Sequence, residues 1–170
     1  MQTAGSDAAP AARRVSVRRR VAAAFYDALA LIGIWFVVAA IAVGFHHGEA
    51  VPDYEHGFQL ALLLAAWAYF AGCWHRGGQT LGMKSWRIRV VDRASGAALS
   101  WRRASLRFAL GVLHWLPLAF AAWAFWFTPA PRALVLTAAA LLAFGYWWIL
   151  GGRGEALIDR ASGSVLVFRA

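Results

Sequence analysis

The chain is 170 residues long and 61% hydrophobic, with ten tryptophans and a mean hydropathy of +0.55. That is more apolar surface than a soluble core of this size can enclose, which excludes an ordinary soluble domain. The formal charge of +9 and pI near 11.2 would suggest nucleic acid for a soluble protein. Beside membrane spans the same residues face anionic lipid headgroups, so no nucleic-acid partner is expected.

Residues 1–18 (MQTAGSDAAPAARRVSVR) are small, polar and basic, and read as a disordered segment ahead of a membrane domain at 19–170. Four apolar runs follow, at 21–45, 57–74, 105–127 and 133–150, each near the roughly 20 residues that a spanning helix needs. The first follows RRVSVRRR, as an export signal would, but it contains Asp27 and exceeds a signal's roughly 7–15 apolar residues. It therefore reads as a retained span. The predicted fold is an all-α integral membrane protein with four transmembrane helices.

Charge placement sets the orientation. The link at 46–56 (HHGEAVPDYEH) carries Glu49, Asp53 and Glu55 and no Lys or Arg. Sixteen of the 17 Lys and Arg residues precede the first run, lie in or beside the loop at 76–104, or follow the fourth run, with Arg132 alone on the other side. The positive-inside rule puts both termini, the 76–104 loop and the 151–170 tail in the cytoplasm.

Within that loop, Gly77-Gly78 marks the end of the second helix. WRIRV at 86–90 alternates apolar and basic residues as a half-buried strand does. DRASG then appears at 92–96 and again at 159–163. Asp opens turns, Ser supports them and Gly tolerates positive φ. Each copy reads as a turn joining two short strands, and the four strands as a small cytoplasmic sheet built by loop and tail.

No nucleophile elbow, HExxH or P-loop occurs, so no enzyme, cofactor or metal site is expected. His46, His47 and His56 match no metal-ligand spacing and read as a solvated loop. Cys73 reads as a small membrane-embedded residue. Trp74, Trp101, Trp126, Trp147 and Trp148 read as interfacial anchors.

Asp27 stands apart, because an ionised carboxylate inside a span costs on the order of 2.5–3.5 kcal/mol. It either locks helix packing through hydrogen bonds or takes a proton and a cation in alternation. Arg20 lies seven residues earlier on the same helical face, about 10 Å away along the axis. That is too far for direct contact and suits a shared polar track open to the cytoplasm. His114, three residues before Pro117, reads either as a hydrogen-bonded packing group or as a proton relay.

RVAAAFYD at 20–27, GGQTLGMKSWRIRVVDRASG at 77–96 and ALIDRASGSVLVF at 156–168 resemble the RDD family of bacterial membrane proteins, named for one arginine and two aspartates. The resemblance makes Arg20 the family arginine, Asp27 the first aspartate and Asp159 the second, with Asp92 a turn-forming echo. Family members often carry a histidine before the last aspartate, where this chain has Ile158. The resemblance implies a multi-pass protein of the bacterial inner membrane that transports ions or small solutes, some members being similar to sodium/proton antiporters.

On that reading Asp27 is expected as the proton and cation site, Arg20 as its electrostatic modulator and Asp159 as a gate or anchor at the cytoplasmic mouth. The expected partners are the bilayer with its anionic headgroups, a monovalent cation, a proton and, because four spans make a thin wall, further copies in a homo-oligomer. The alternative expectation is a non-transporting scaffold or regulatory partner of another membrane complex.

Overall fold

The computed structural model describes residues 15–49, 51–52, 55–127, 133–134, 136–141 and 156–168. In chain order the elements are α1 (Val17–Phe45), α2 (His56–Arg76), α3 (Leu81–Ser85), β1 (Ile88–Asp92), α4 (Trp101–Phe127), α5 (Leu157–Ala161) and β2 (Ser164–Phe168). Among the described residues, three helices are long and apolar enough to cross a membrane: α1, α2 and the Trp101–Ala121 portion of α4. Of the fourth expected span, residues 133–134 and 136–141 are helical. Residues 142–150, with Trp147 and Trp148, lie outside the described residues.

The helices run in the order α1, α2, α4 across the bundle. Trp35 Nε1 of α1 donates to the Leu62 carbonyl of α2 at 3.0 Å, and Trp67 Nε1 of α2 donates to Ser105 Oγ of α4 at 3.0 Å. The outer face of α1 presents Phe25, Ile32 and Phe36, all largely exposed. Such a face suits lipid rather than water.

α1 begins at Val17, four residues before the expected start and inside the segment expected to be disordered. Val15 is already buried in the core. Arg18, Arg19 and Arg20 therefore sit in the first turn of α1 and not ahead of it. Tertiary partners account for this: Arg19 Nη1 donates to the Trp86 carbonyl at 3.3 Å and its guanidinium lies 4.8 Å from the Phe168 ring centre.

The close-packed core lies at the basic end of the bundle. Met83, Ile88, Val90, Leu99 and Leu166 gather under Trp74, so Trp74 is a core residue and not the expected interfacial anchor. Trp101 is exposed and stacks on His75, whose ring centre is 4.7 Å away.

The expected four-stranded sheet is in fact a two-stranded one. β1 and β2 pair antiparallel, with Ile88 opposite Phe168, Val90 opposite Leu166 and Asp92 opposite Ser164. The expected alternation holds where it counts: Ile88 and Val90 point inward and Arg89 does not. Residues 78–79 cover the other edge of β1, since Val90 N donates to the Gly78 carbonyl at 2.7 Å and Gln79 Nε2 donates to the Ile88 carbonyl at 2.8 Å. Gly78 has φ +69°, and a Cβ there would fall 2.3 Å from the Val90 carbonyl oxygen. Only glycine fits that approach.

The two DRASG copies take different shapes. In the first, Asp92 Oδ1 accepts from Ala94 N at 2.9 Å and Ser95 N at 3.1 Å, a turn closed forward by the side chain. No strand follows it: residues 97–100 are irregular before α4. In the second, Asp159 Oδ2 accepts from Ala156 N at 3.2 Å, three residues back, and the copy begins in helix α5. An acid at the third helical position reaching back to the first free amide favours helix over turn. The copies also touch, because Arg93 N donates to the Gly163 carbonyl at 3.0 Å.

Candidate functional site

Two buried carboxylates organise the basic end. Asp159 is 0% exposed. Its Oδ2 pairs with Arg20 Nη1 from α1, and its Oδ1 with Arg107 Nη2 from α4 at 2.7 Å. The second arginine is held in turn by Ser164 Oγ, which accepts from Arg107 Nη1, and by the Trp74 ring, 5.3 Å from its guanidinium carbon. Burial alone would raise the Asp159 carboxyl, but Arg107 and then Arg20 outweigh it and hold it below the ordinary carboxylate range. Asp159 thus ties α1, α4 and the α5–β2 tail into one charged clasp.

Asp27, 4% exposed, meets neutral donors. Its Oδ1 accepts from the Tyr69 hydroxyl at 2.9 Å and from Gly82 N at 2.8 Å; its Oδ2 accepts from Thr80 Oγ1 at 2.6 Å. Thr80 is also the N-cap of α3, where its Oγ1 accepts from Met83 N at 3.2 Å. Tyr69 in turn accepts from Leu81 N at 3.2 Å. Asp27 thus takes up one free amide at the start of α3, Gly82 N, while its partners Tyr69 and Thr80 take those of Leu81 and Met83. A Cβ on Gly82 would lie 2.1 Å from the Ala23 carbonyl oxygen and 3.0 Å from Asp27 Cγ. The approach of α3 to α1 depends on that glycine.

Arg20 and Asp27 are both buried, as a shared face requires, but they serve separate centres. Arg20 reaches Asp159, which the sequence put 139 positions away, and Asp27 has no cationic partner among the described residues. His114 is partly exposed in α4, with the Trp115 ring edge-on at 6.0 Å. It is not among the partners of either carboxylate. At the opposite end, His46 Nε2 and Glu55 Oε2 lie 2.9 Å apart and join the ends of α1 and α2.

Arg107, Thr80, Gly82 and Tyr69 were not singled out from the sequence. Arg107 carried a signal, because a cation two residues into an apolar run is costly unless paired. Thr80 and Gly82 lie within the 77–96 stretch that carries the resemblance, but nothing in that stretch points to a partner in a distant helix. Asp92, the echo, holds its own partner in Arg103, which lies against Gly163 of the second copy.

No curated protein and no solved structure matches this chain. A profile of the RDD family matches residues 14–163, a stretch that contains Asp27, the clasp of Arg20, Arg107 and Asp159, and the helices α1, α2 and α4. The chain belongs to the RDD family.

Proposed function

We propose that this protein exchanges a monovalent cation or a small solute for protons across a bacterial inner membrane, with Asp27 as the group that takes either. The observation that carries this reading is the environment of Asp27: a buried carboxylate on an apolar helix whose described partners are all neutral. A proton or a small cation supplies the charge that the site lacks. Asp159 cannot serve in that way while two guanidinium groups hold it, and its role is the anchor at the cytoplasmic mouth. Arg20 acts on Asp159 in this scheme and shapes Asp27 only indirectly, through the common helix. The basic residues favour termini and cap in the cytoplasm, and the exposed face of α1 offers a surface for further copies.

Proton flux in proteoliposomes with a trapped pH dye tests this, with Na⁺, K⁺ or Li⁺ pulses on wild type and on Asp27→Asn. Cation-driven alkalinisation in wild type that disappears in a folded variant supports it. No flux from correctly folded wild type rejects it and leaves the second reading, a scaffold or regulatory partner of another membrane complex. One feature favours that alternative: the hydrogen bonds of Asp27 tie α3 to α1, a structural use that needs no transport.

A further inference from the structure

A cavity of about 590 Å³ opens between the end of α2 and α3, and its walls include Tyr69, Gly72, Cys73, Arg76 and Lys84. We propose that it binds the phosphate of an anionic phospholipid. Arg76 and Lys84 come from different elements, are both exposed, and have no acidic partner among the described residues. No carboxylate lines the cavity, so the two charged side chains on its wall are both cations and suit an anion. A guanidinium fork beside an ammonium suits a phosphate oxygen set better than a single carboxylate.

The second half of the argument is position. Arg76 is the last residue of a helix long enough to span a membrane, the level at which lipid phosphates lie. Ala68, another wall residue, is exposed, as are Leu64 and Ala61 further along the same face of α2. That strip leads away from the two cations into the apolar part of the helix and gives an acyl chain a bed. A free phosphate has no use for it. Tyr69 separates the cavity from Asp27 and donates to it, so the bound headgroup sits next to the hydrogen-bond network of that carboxylate. The site requires a membrane around the protein but no transport, and a negative flux assay leaves it standing.

The test uses the full-length protein in neutral detergent, with lipid retention read by native mass spectrometry and by thermal unfolding. Phosphatidylglycerol, phosphatidylcholine and inorganic phosphate are titrated in parallel. Wild type is expected to retain phosphatidylglycerol selectively, and R76Q/K84Q to weaken it about tenfold or more. R102Q/R160Q, which removes the same charge from exposed positions outside the cavity, is expected to bind as wild type does. Gly72→Leu keeps every charge; a Cβ at Gly72 meets nothing within 4 Å, so the added side chain enters the cavity and should also abolish retention. Equal loss in R102Q/R160Q, undiminished binding in Gly72→Leu, or no preference over phosphatidylcholine would overturn the proposal. So would inorganic phosphate stabilising wild type as well as the lipid does.

Discussion

Asp159 and Asp27 are 0% and 4% exposed, yet one lies between two guanidinium groups and the other meets two hydroxyls and a backbone amide. At Asp159 the charge is compensated, and the centre joins three parts of the chain that are far apart in sequence. At Asp27 the carboxylate joins α1, α2 and α3, which follow one another in the chain, and its partners among the described residues carry no charge. Equal burial thus hides two different carboxylates, and the charge of the partners tells them apart.

The largest effect is expected at the clasp. Asp159→Asn leaves Arg20 and Arg107 buried without their countercharge, a loss on the order of 3–5 kcal/mol. Thermal unfolding in detergent should show it, and a midpoint equal to wild type would mean that the clasp does not hold the cap. The same pair governs the acid limb. Because the carboxyl is held below its ordinary range, its stabilisation is complete above about pH 4 and is lost as pH falls through the lower folded value. Arg107→Gln removes one of the two cations, so acid unfolding followed by circular dichroism should begin at higher pH than in wild type.

Next comes the contact that lets Asp27 reach α3. Gly82→Ala forces a Cβ to within 2.1 Å of the Ala23 carbonyl oxygen and should cost about 1–3 kcal/mol as α3 is pushed from α1. Gly96→Ala is the matched control: its φ is +68° but its surroundings are open, leaving a backbone cost of about 1 kcal/mol. If the two variants unfold together, close approach at Gly82 is not what holds α3. The smallest effect is expected at Tyr69→Phe, which deletes one of three donors to Asp27 at about 1 kcal/mol. Its sharper readout is cation-driven flux: altered flux with near-wild-type unfolding would separate an exchange role for Asp27 from a purely structural one.

Legibility differed between these regions for a physical reason. Spanning helices announce themselves locally, because apolar length and flanking charge are properties of a single segment. The alternation at 86–90 pointed to a strand, and one forms there two residues later, at Ile88–Asp92. The DRASG copies were not legible: identical residues became a turn after a strand at 92–96 and a helical start at 159–163. At the first, pairing of Asp92 with Ser164 keeps the aspartate extended. At the second, two arginines and the Ala156 amide fix it at the head of α5.

By itself, the sequence determined a basic, predominantly apolar chain with long helices, and it marked Arg20, Asp27 and Asp159 as the residues whose polarity required an explanation. Only the tertiary structure decided which partner each one takes. Arg20 lies seven residues from Asp27 and 139 from Asp159, and it pairs with the distant one. A helix places residues seven apart two turns from each other along its axis, whereas the return of the chain through α5 brings Asp159 into hydrogen-bonding range.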